Sequence, residues 1–193
     1  MDHDLHLQGH GYALRPVRRD DAAAIVALRT DGGPYINRGA ASEDEQRAWI
    51  ERYLTRDGDY YFAAERIGDA KVEALAAIYD VDPVTRGAEW GRFVVRRGAN
   101  AAIETALLVY RAAFDVLALE WLVCRTLAAN VQVVAFHDSC GLARMPGEVT
   151  VMLDGVPAAG VEHRIDRASW PSVSATLDPV ARRLAARMHK GAP

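Results

Sequence analysis

The chain has 193 residues, half of them hydrophobic and a quarter charged, and a formal net charge of −3. That is the composition of an ordinary globular protein of one domain, and it gives no global pull toward nucleic acid. No run of about 18 uncharged apolar residues is present to cross a membrane, and the cysteines, Cys124 and Cys140, have neither metal nor redox spacing. No basic segment followed by an apolar one opens the chain, so the expected location is the cytoplasm, with free thiols.

Residues 1–11 carry His3, His6 and His10. Three histidines can trap a metal, but nothing nearby supplies a rigid frame; the expectation is a flexible tail and no metal site. Tyr12 to Val17 alternates apolar and polar residues and reads as a strand. Asp20 or Asp21 can cap a helix with Ala24, Ile25 and Leu28 at helical spacing, which Asp31-Gly32-Gly33-Pro34 ends. After a loop holding Tyr35, Asn37 and Arg38, the pair Ser42 and Glu45 forms a capping-box pattern for a helix to about Leu54. Tyr60 to Glu65 and Val72 to Asp80 read as strands of a hairpin around Gly68-Asp69.

The stretch from Arg86 to Leu142 organises the chain. A strand, Ala88 to Val95, turns through Arg96-Arg97-Gly98-Ala99-Asn100 into a long apolar helix, Ala101 to about Leu119. Its face is Ile103, Leu107, Tyr110, Phe114 and Leu117. A second strand, Trp121 to Leu127, leads through Asn130 to a short helix, Val131 to Cys140, stopped by Gly141. Two strands joined by so long a helix are expected to be parallel. The start of that helix offers unpaired N–H groups to an anion, and a phosphate-bearing ligand is expected there. Further on, Glu148 to Leu153 and Val161 to Arg167 read as strands about an Asp154-Gly155 turn. Asp178-Pro179 opens a terminal helix with Val180, Leu184 and Met188 as its stripe.

Three short patterns carry a family resemblance. Arg97-Gly98-Ala99-Asn100-Ala101-Ala102-Ile103-Glu104 is similar to a pyrophosphate loop of the form R-G-x-G-x-x-x-E, with Asn100 in place of the second small residue. Asn130, Phe136, His137, Gly141 and Leu142 keep the spacing N-x6-Y-x3-G-F, with His137 at the tyrosine position. Ile165-Asp166-Arg167-Ala168-Ser169-Trp170 is similar to a y-x-l-t-r-x-x-W ending. With the element order, these resemble the GNAT superfamily of acyl-CoA-dependent N-acyltransferases from about Tyr12 to Trp170. The resemblance implies an α/β fold: a mixed, strongly twisted sheet of about seven strands flanked by about four helices, plus a C-terminal helix. The expected organisation is a tail (1–11), a GNAT-like acyltransferase domain (12–170) and a helical extension (171–193).

The same resemblance implies acetyl-CoA as co-substrate, held by Phe93, Val95, Arg96, Arg97, Gly98, Ala99, Asn100, Ala101, Asn130 and Phe136. It implies Glu89 as the base that deprotonates the amine, with a surface salt bridge or a water chain as the other readings. It implies His137 as the acid that protonates the leaving thiolate, with an ordinary helix histidine as the alternative. Tyr35, Arg38, Trp90 and His163 are the expected acceptor contacts. The expected activity is acetyl transfer to a primary amine of a small molecule, such as a nucleotide-linked amino sugar. A peptide or ribosomal-protein N-terminal acetyltransferase, or a non-catalytic coenzyme-binding module, are the alternatives. The expected partner is the small-molecule amine, with no nucleic acid and no membrane, and a homodimer is allowed.

Overall fold

The structure is a computed structural model and describes residues 3–190. Nine strands and five α-helices follow one another as β1 (Leu7–Gln8), β2 (Tyr12–Pro16), α1 (Ala22–Asp31), α2 (Glu43–Tyr53), β3 (Tyr60–Arg66), β4 (Val72–Asp82), β5 (Gly87–Val95), α3 (Ala101–Arg111), β6 (Trp121–Leu127), α4 (Val131–Ser139), β7 (Ala143–Arg144), β8 (Val149–Leu153), β9 (Val156–Asp166) and α5 (Trp170–Lys190). Seven strands have five residues or more; β1 and β7 have two each. They form one open sheet in the order β1-β2-β3-β4-β5-β6-β9-β7, with β8 also pairing β9. Every pairing is antiparallel except β5 with β6, as the long connection between them requires.

Strand periodicity builds the two faces of the sheet. In β4, Ala74, Ala76 and Ile78 join one core with Leu107, Tyr110, Val173 and Leu177 of α3 and α5. Leu75 and Ala77 join the other, with Ile25, Leu28, Ile50 and Tyr53 of α1 and α2. Ser42 caps α2 as its sequence suggests: its hydroxyl accepts from Glu45 N at 3.2 Å, while Glu45 reaches back to Ala41 N at 2.9 Å. No described helix is long and apolar enough to cross a membrane.

Three expectations are corrected. Residues 3–11 are tied down rather than forming a free tail: Leu7 pairs with Leu14, and Glu104 accepts from the backbone of His10 and Gly11. The His10 ring also meets Asp178 at 2.8 Å. The terminal helix starts at Trp170, not Asp178, because Trp170, Val173, Leu177, Ala181 and Ala185 extend its buried stripe; packing there outweighs the hydrogen bond that Pro179 forgoes inside it. The long helix keeps α geometry only to Arg111 and then widens into a π turn over Ala112–Val116. The Arg167-to-Trp170 ending locks that turn, because Arg167 donates to the Phe114 and Leu119 carbonyls and Trp170 Nε1 donates to Asp115 at 2.8 Å.

Candidate active site

β5 and β6 pair only at Gly87–Trp121, Ala88–Leu122 and Glu89–Val123. β5 runs on to Val95 and β6 to Leu127, so the strands part beyond Glu89, and the backbone groups of β5 that face β6 lose their strand partner. A bulge sharpens the split. Leu75 sits opposite Val94 and Ala77 opposite Gly91, which leaves an extra residue on β5 and puts Arg92 at φ 50°. The split opens into a cavity of about 510 Å³ lined by β5, β6, the start of α4, strand β8 and the loop after α1. That loop is tied across the mouth: Asn37 accepts from Asp154 N at 2.6 Å, and Arg38 N donates to Asp154 Oδ1 at 2.9 Å.

Glu89 lies on the cavity wall. Its carboxylate accepts from the Tyr79 hydroxyl at 2.7 Å and pairs with Arg125, which Glu162 also holds at 2.8 Å. Burial and the neighbouring Glu89 raise the Tyr79 phenol, so it stays a donor. Glu89 is thus a cavity carboxylate that also forms an ion pair.

His137 also lines the cavity, on α4, with 2% of its surface exposed. Its ring stands edge-on to Trp90 at 5.4 Å and lies 5.3 Å from the His163 ring, centroid to centroid. Burial first, and His163 second, lower its pKa to about 4, so it is neutral at pH 7. Its Nδ1 has no partner. Behind it, His163 Nε2 meets Asp138 at 3.0 Å, and Arg144 and His163 together hold Asp138 well below the usual carboxylate range. The thiols are poor nucleophiles: burial raises Cys124 and pushes Cys140 up to about 11.

An acetyltransferase (GNAT) domain model matches residues 12–143. The chain belongs to the GNAT acetyltransferases. No curated protein sequence matches it. Among solved structures it is similar to FdhC, described as a nucleotide-linked sugar GNAT in its apo form, at 24% identity and TM-score 0.78, over 94% of this chain and 99% of that one. It is similar to a GCN5-related N-acetyltransferase from Brucella melitensis at 18% identity and TM-score 0.75, over 90% and 83%. A chimera of the Vibrio cholerae spermidine N-acetyltransferase SpeG shares 16% identity at TM-score 0.74, over 83% and 98%. At these identities the likeness is one of fold.

GNAT enzymes normally use acetyl-CoA, and the residues present fit it. Gly98, at φ 80°, has open space around its Cα, so the turn before α3 can bring backbone N–H groups close to phosphate oxygens. Asn100 makes no side-chain cap, Arg97 is exposed, and Ala99 N closes the turn on the Arg96 carbonyl at 3.0 Å. Phe93 lines the cavity and stacks on Phe136 at 5.9 Å, and Asn130 lines it without capping α4. Val95 and Ala101 pack against the core instead of lining the cavity.

On the acceptor side, Tyr35 lines the cavity from the α1 loop. The Arg38 side chain does not; it is 92% exposed and lies 3.6 Å from Asp154, because its backbone is committed to tethering the hairpin. Trp90 forms the cavity floor but is a core residue, packed edge-on to Tyr110 at 5.4 Å. His163 is fully buried and does not line the cavity; its ring lies 5.3 Å from that of His137. Sequence reasoning missed Arg29, Tyr79, Arg92 and Arg125. Strand alternation alone would put Arg92, three residues beyond Glu89, on the opposite face; the bulge brings both to the same cavity.

Proposed function

We propose that this GNAT acetyltransferase transfers the acetyl group of acetyl-CoA to a primary amine on an anionic small molecule, with a nucleotide-linked amino sugar as the preferred acceptor. The observation that carries this reading is the cavity at the β5–β6 split, where Glu89 and His137 share one space with Arg29, Arg92 and Arg125. Arg125 is held by Glu89 and Glu162 and Arg92 by Asp59, which leaves Arg29 as the lining guanidinium without a carboxylate among the described residues; that favours an acceptor with negative charge over a polyamine. The same basic lining argues against a peptide N-terminus as acceptor.

The coenzyme, when bound, supplies an activated acyl thioester. Phe93, Asn130 and the Gly98 turn are the residues that would hold it. Glu89 takes the amine's proton, directly or through one water; each of its oxygens keeps a lone pair beyond the bonds from Tyr79 and Arg125. The β5 backbone beyond Glu89 supplies N–H donors for the oxygen that gains charge. Neutral His137 acts as a hydrogen-bond donor toward sulfur rather than as a charged acid, which narrows the role expected for it.

Thiol release from acetyl-CoA tests the proposal with an amino-sugar nucleotide, a plain amino sugar, spermidine and a short peptide as acceptors. The amino-sugar nucleotide is expected to turn over fastest. Coenzyme binding without turnover on any amine overturns the reaction, and preference for spermidine overturns the acceptor class.

A further inference from the structure

Beside the acceptor cavity lies a second one of about 380 Å³, between α1, α2 and the β5 bulge. Arg29 and Arg92 line both, so the two spaces share a wall of two guanidinium groups. Arg52 of α2 adds a third cation to the second cavity, and Trp49 and Tyr61 add aromatic faces. Among the described residues, Arg29 and Arg52 have no carboxylate at ion-pair distance, while Arg92 has Asp59 at 3.5 Å. Glu45 is the cavity's own carboxylate, and it is occupied in bonding Ala41 N at 2.9 Å. Arg29 Nε and Arg92 Nη1 are shut off from solvent without an acceptor.

The Arg92 guanidinium also lies over the Tyr79 ring at 4.7 Å, while like charges gathered beside an open space repel one another. An anion in that space offsets the repulsion. The fork of N–H groups on a guanidinium matches phosphate oxygens two at a time. The cavity, about 380 Å³, is many times the roughly 30 Å³ that one water occupies in the liquid, so it has room for a phosphate group. We propose that this second cavity is a phosphate subsite of the acceptor site. Arg29, Arg52 and Arg92 hold the mono- or diphosphate of the acceptor while its amine reaches past the shared wall to Glu89. This rests on the acetyl-transfer reading above and names the feature by which an acceptor is chosen.

The probe is inorganic pyrophosphate, measured by calorimetry on the full chain with coenzyme A at saturation, so that the turn before α3 is already filled. One equivalent is expected to bind. Arg52→Gln, an exposed change that leaves the core alone, is expected to weaken binding about tenfold, and Arg29→Gln at least as much. In the thiol-release assay, pyrophosphate is expected to compete with the acceptor and not with acetyl-CoA. No binding, binding unchanged in both variants, or inhibition that is non-competitive toward the acceptor each overturn the assignment. Comparing inorganic phosphate with uridine diphosphate separates a monophosphate seat from a diphosphate one. The binding readout needs no turnover, so failure of the proposed reaction and failure of this subsite are read separately.

Discussion

His137 is buried against Trp90 and His163, and its pKa of about 4 lies below the ordinary value of 6.5. The unfolded chain therefore binds a proton at this site that the folded chain refuses, throughout the window from pH 6.5 to 4. Stability from this residue is complete above pH 6.5 and is lost as pH falls toward 4, by about 3 kcal/mol at full protonation. Between pH 6.5 and 4, thermal melts are expected to show wild type losing more stability than His137→Phe, because the variant lacks the titration. At pH 7 the same variant is expected to lower kcat by about tenfold to a hundredfold with little change in KM for acetyl-CoA, the pattern of a donor used in the transition state. Asn130 gives the complementary outcome. Its side chain lines the cavity without capping α4, so Asn130→Ala is expected to raise KM for acetyl-CoA while the melting temperature stays within about 2 °C. The position of Asn130 at the start of α4, on the cavity wall, was readable from its spacing to Gly141. The protonation state of His137 was not, because it depends on Trp90 and His163, which lie 47 and 26 residues away in the chain.

The parallel joint between β5 and β6 is three residue pairs long, and its first pair is Gly87 with Trp121. The indole lies so close to Gly87 that a Cβ there would be 1.9 Å from the Trp121 ring carbon Cε2. The Arg164 guanidinium covers the ring from 4.9 Å, so the indole has little room to yield. Gly87→Ala is expected to destabilise the protein by about 1–3 kcal/mol through overpacking, seen as a lower midpoint in urea with an unchanged slope. Because the same joint sets where the split begins, the variant is also expected to lose activity before it loses its fold. The strand–helix–strand pattern made the parallel pair legible in the sequence. The bulge at Arg92 and the π turn at Ala112–Val116 were not legible, since both arise from fitting an extra residue against neighbours distant in sequence: β4 for the bulge, and Arg167 and Trp170 for the turn. Pro179 misled for a related reason. Local propensity marks it as a helix start, while the buried stripe from Trp170 to Ala185 continues through it.

At the scale of the molecule, the sheet has two halves that meet at the three-pair joint and diverge on either side of the cavity. The half carrying α1 and α2 supplies Arg29, Arg92 and Tyr35, and the half carrying β6, α4 and the β8–β9 hairpin supplies Arg125, Asn130 and His137. Across the mouth, Asn37 joins them by accepting from Asp154 N and donating to the Met152 carbonyl at 3.4 Å. These bonds are exposed, and exposed bonds of this kind contribute only about 0.5–1.5 kcal/mol each. They matter for position more than for stability, because a site assembled from two halves loses affinity when the halves move apart. Asn37→Ala is expected to raise KM for the acceptor several-fold, to leave KM for acetyl-CoA unchanged, and to shift the melting temperature by no more than about 3 °C. Arg38→Ala is expected to do less, since its side chain is almost fully exposed and only its backbone N–H, which alanine retains, bonds Asp154 at hydrogen-bond distance. A fall in melting temperature without a change in acceptor KM would show that the tether serves the hairpin alone. The expected split between the two Michaelis constants instead makes the mouth part of acceptor recognition, and it explains why a loop remote from the joint holds an asparagine bonded on both sides.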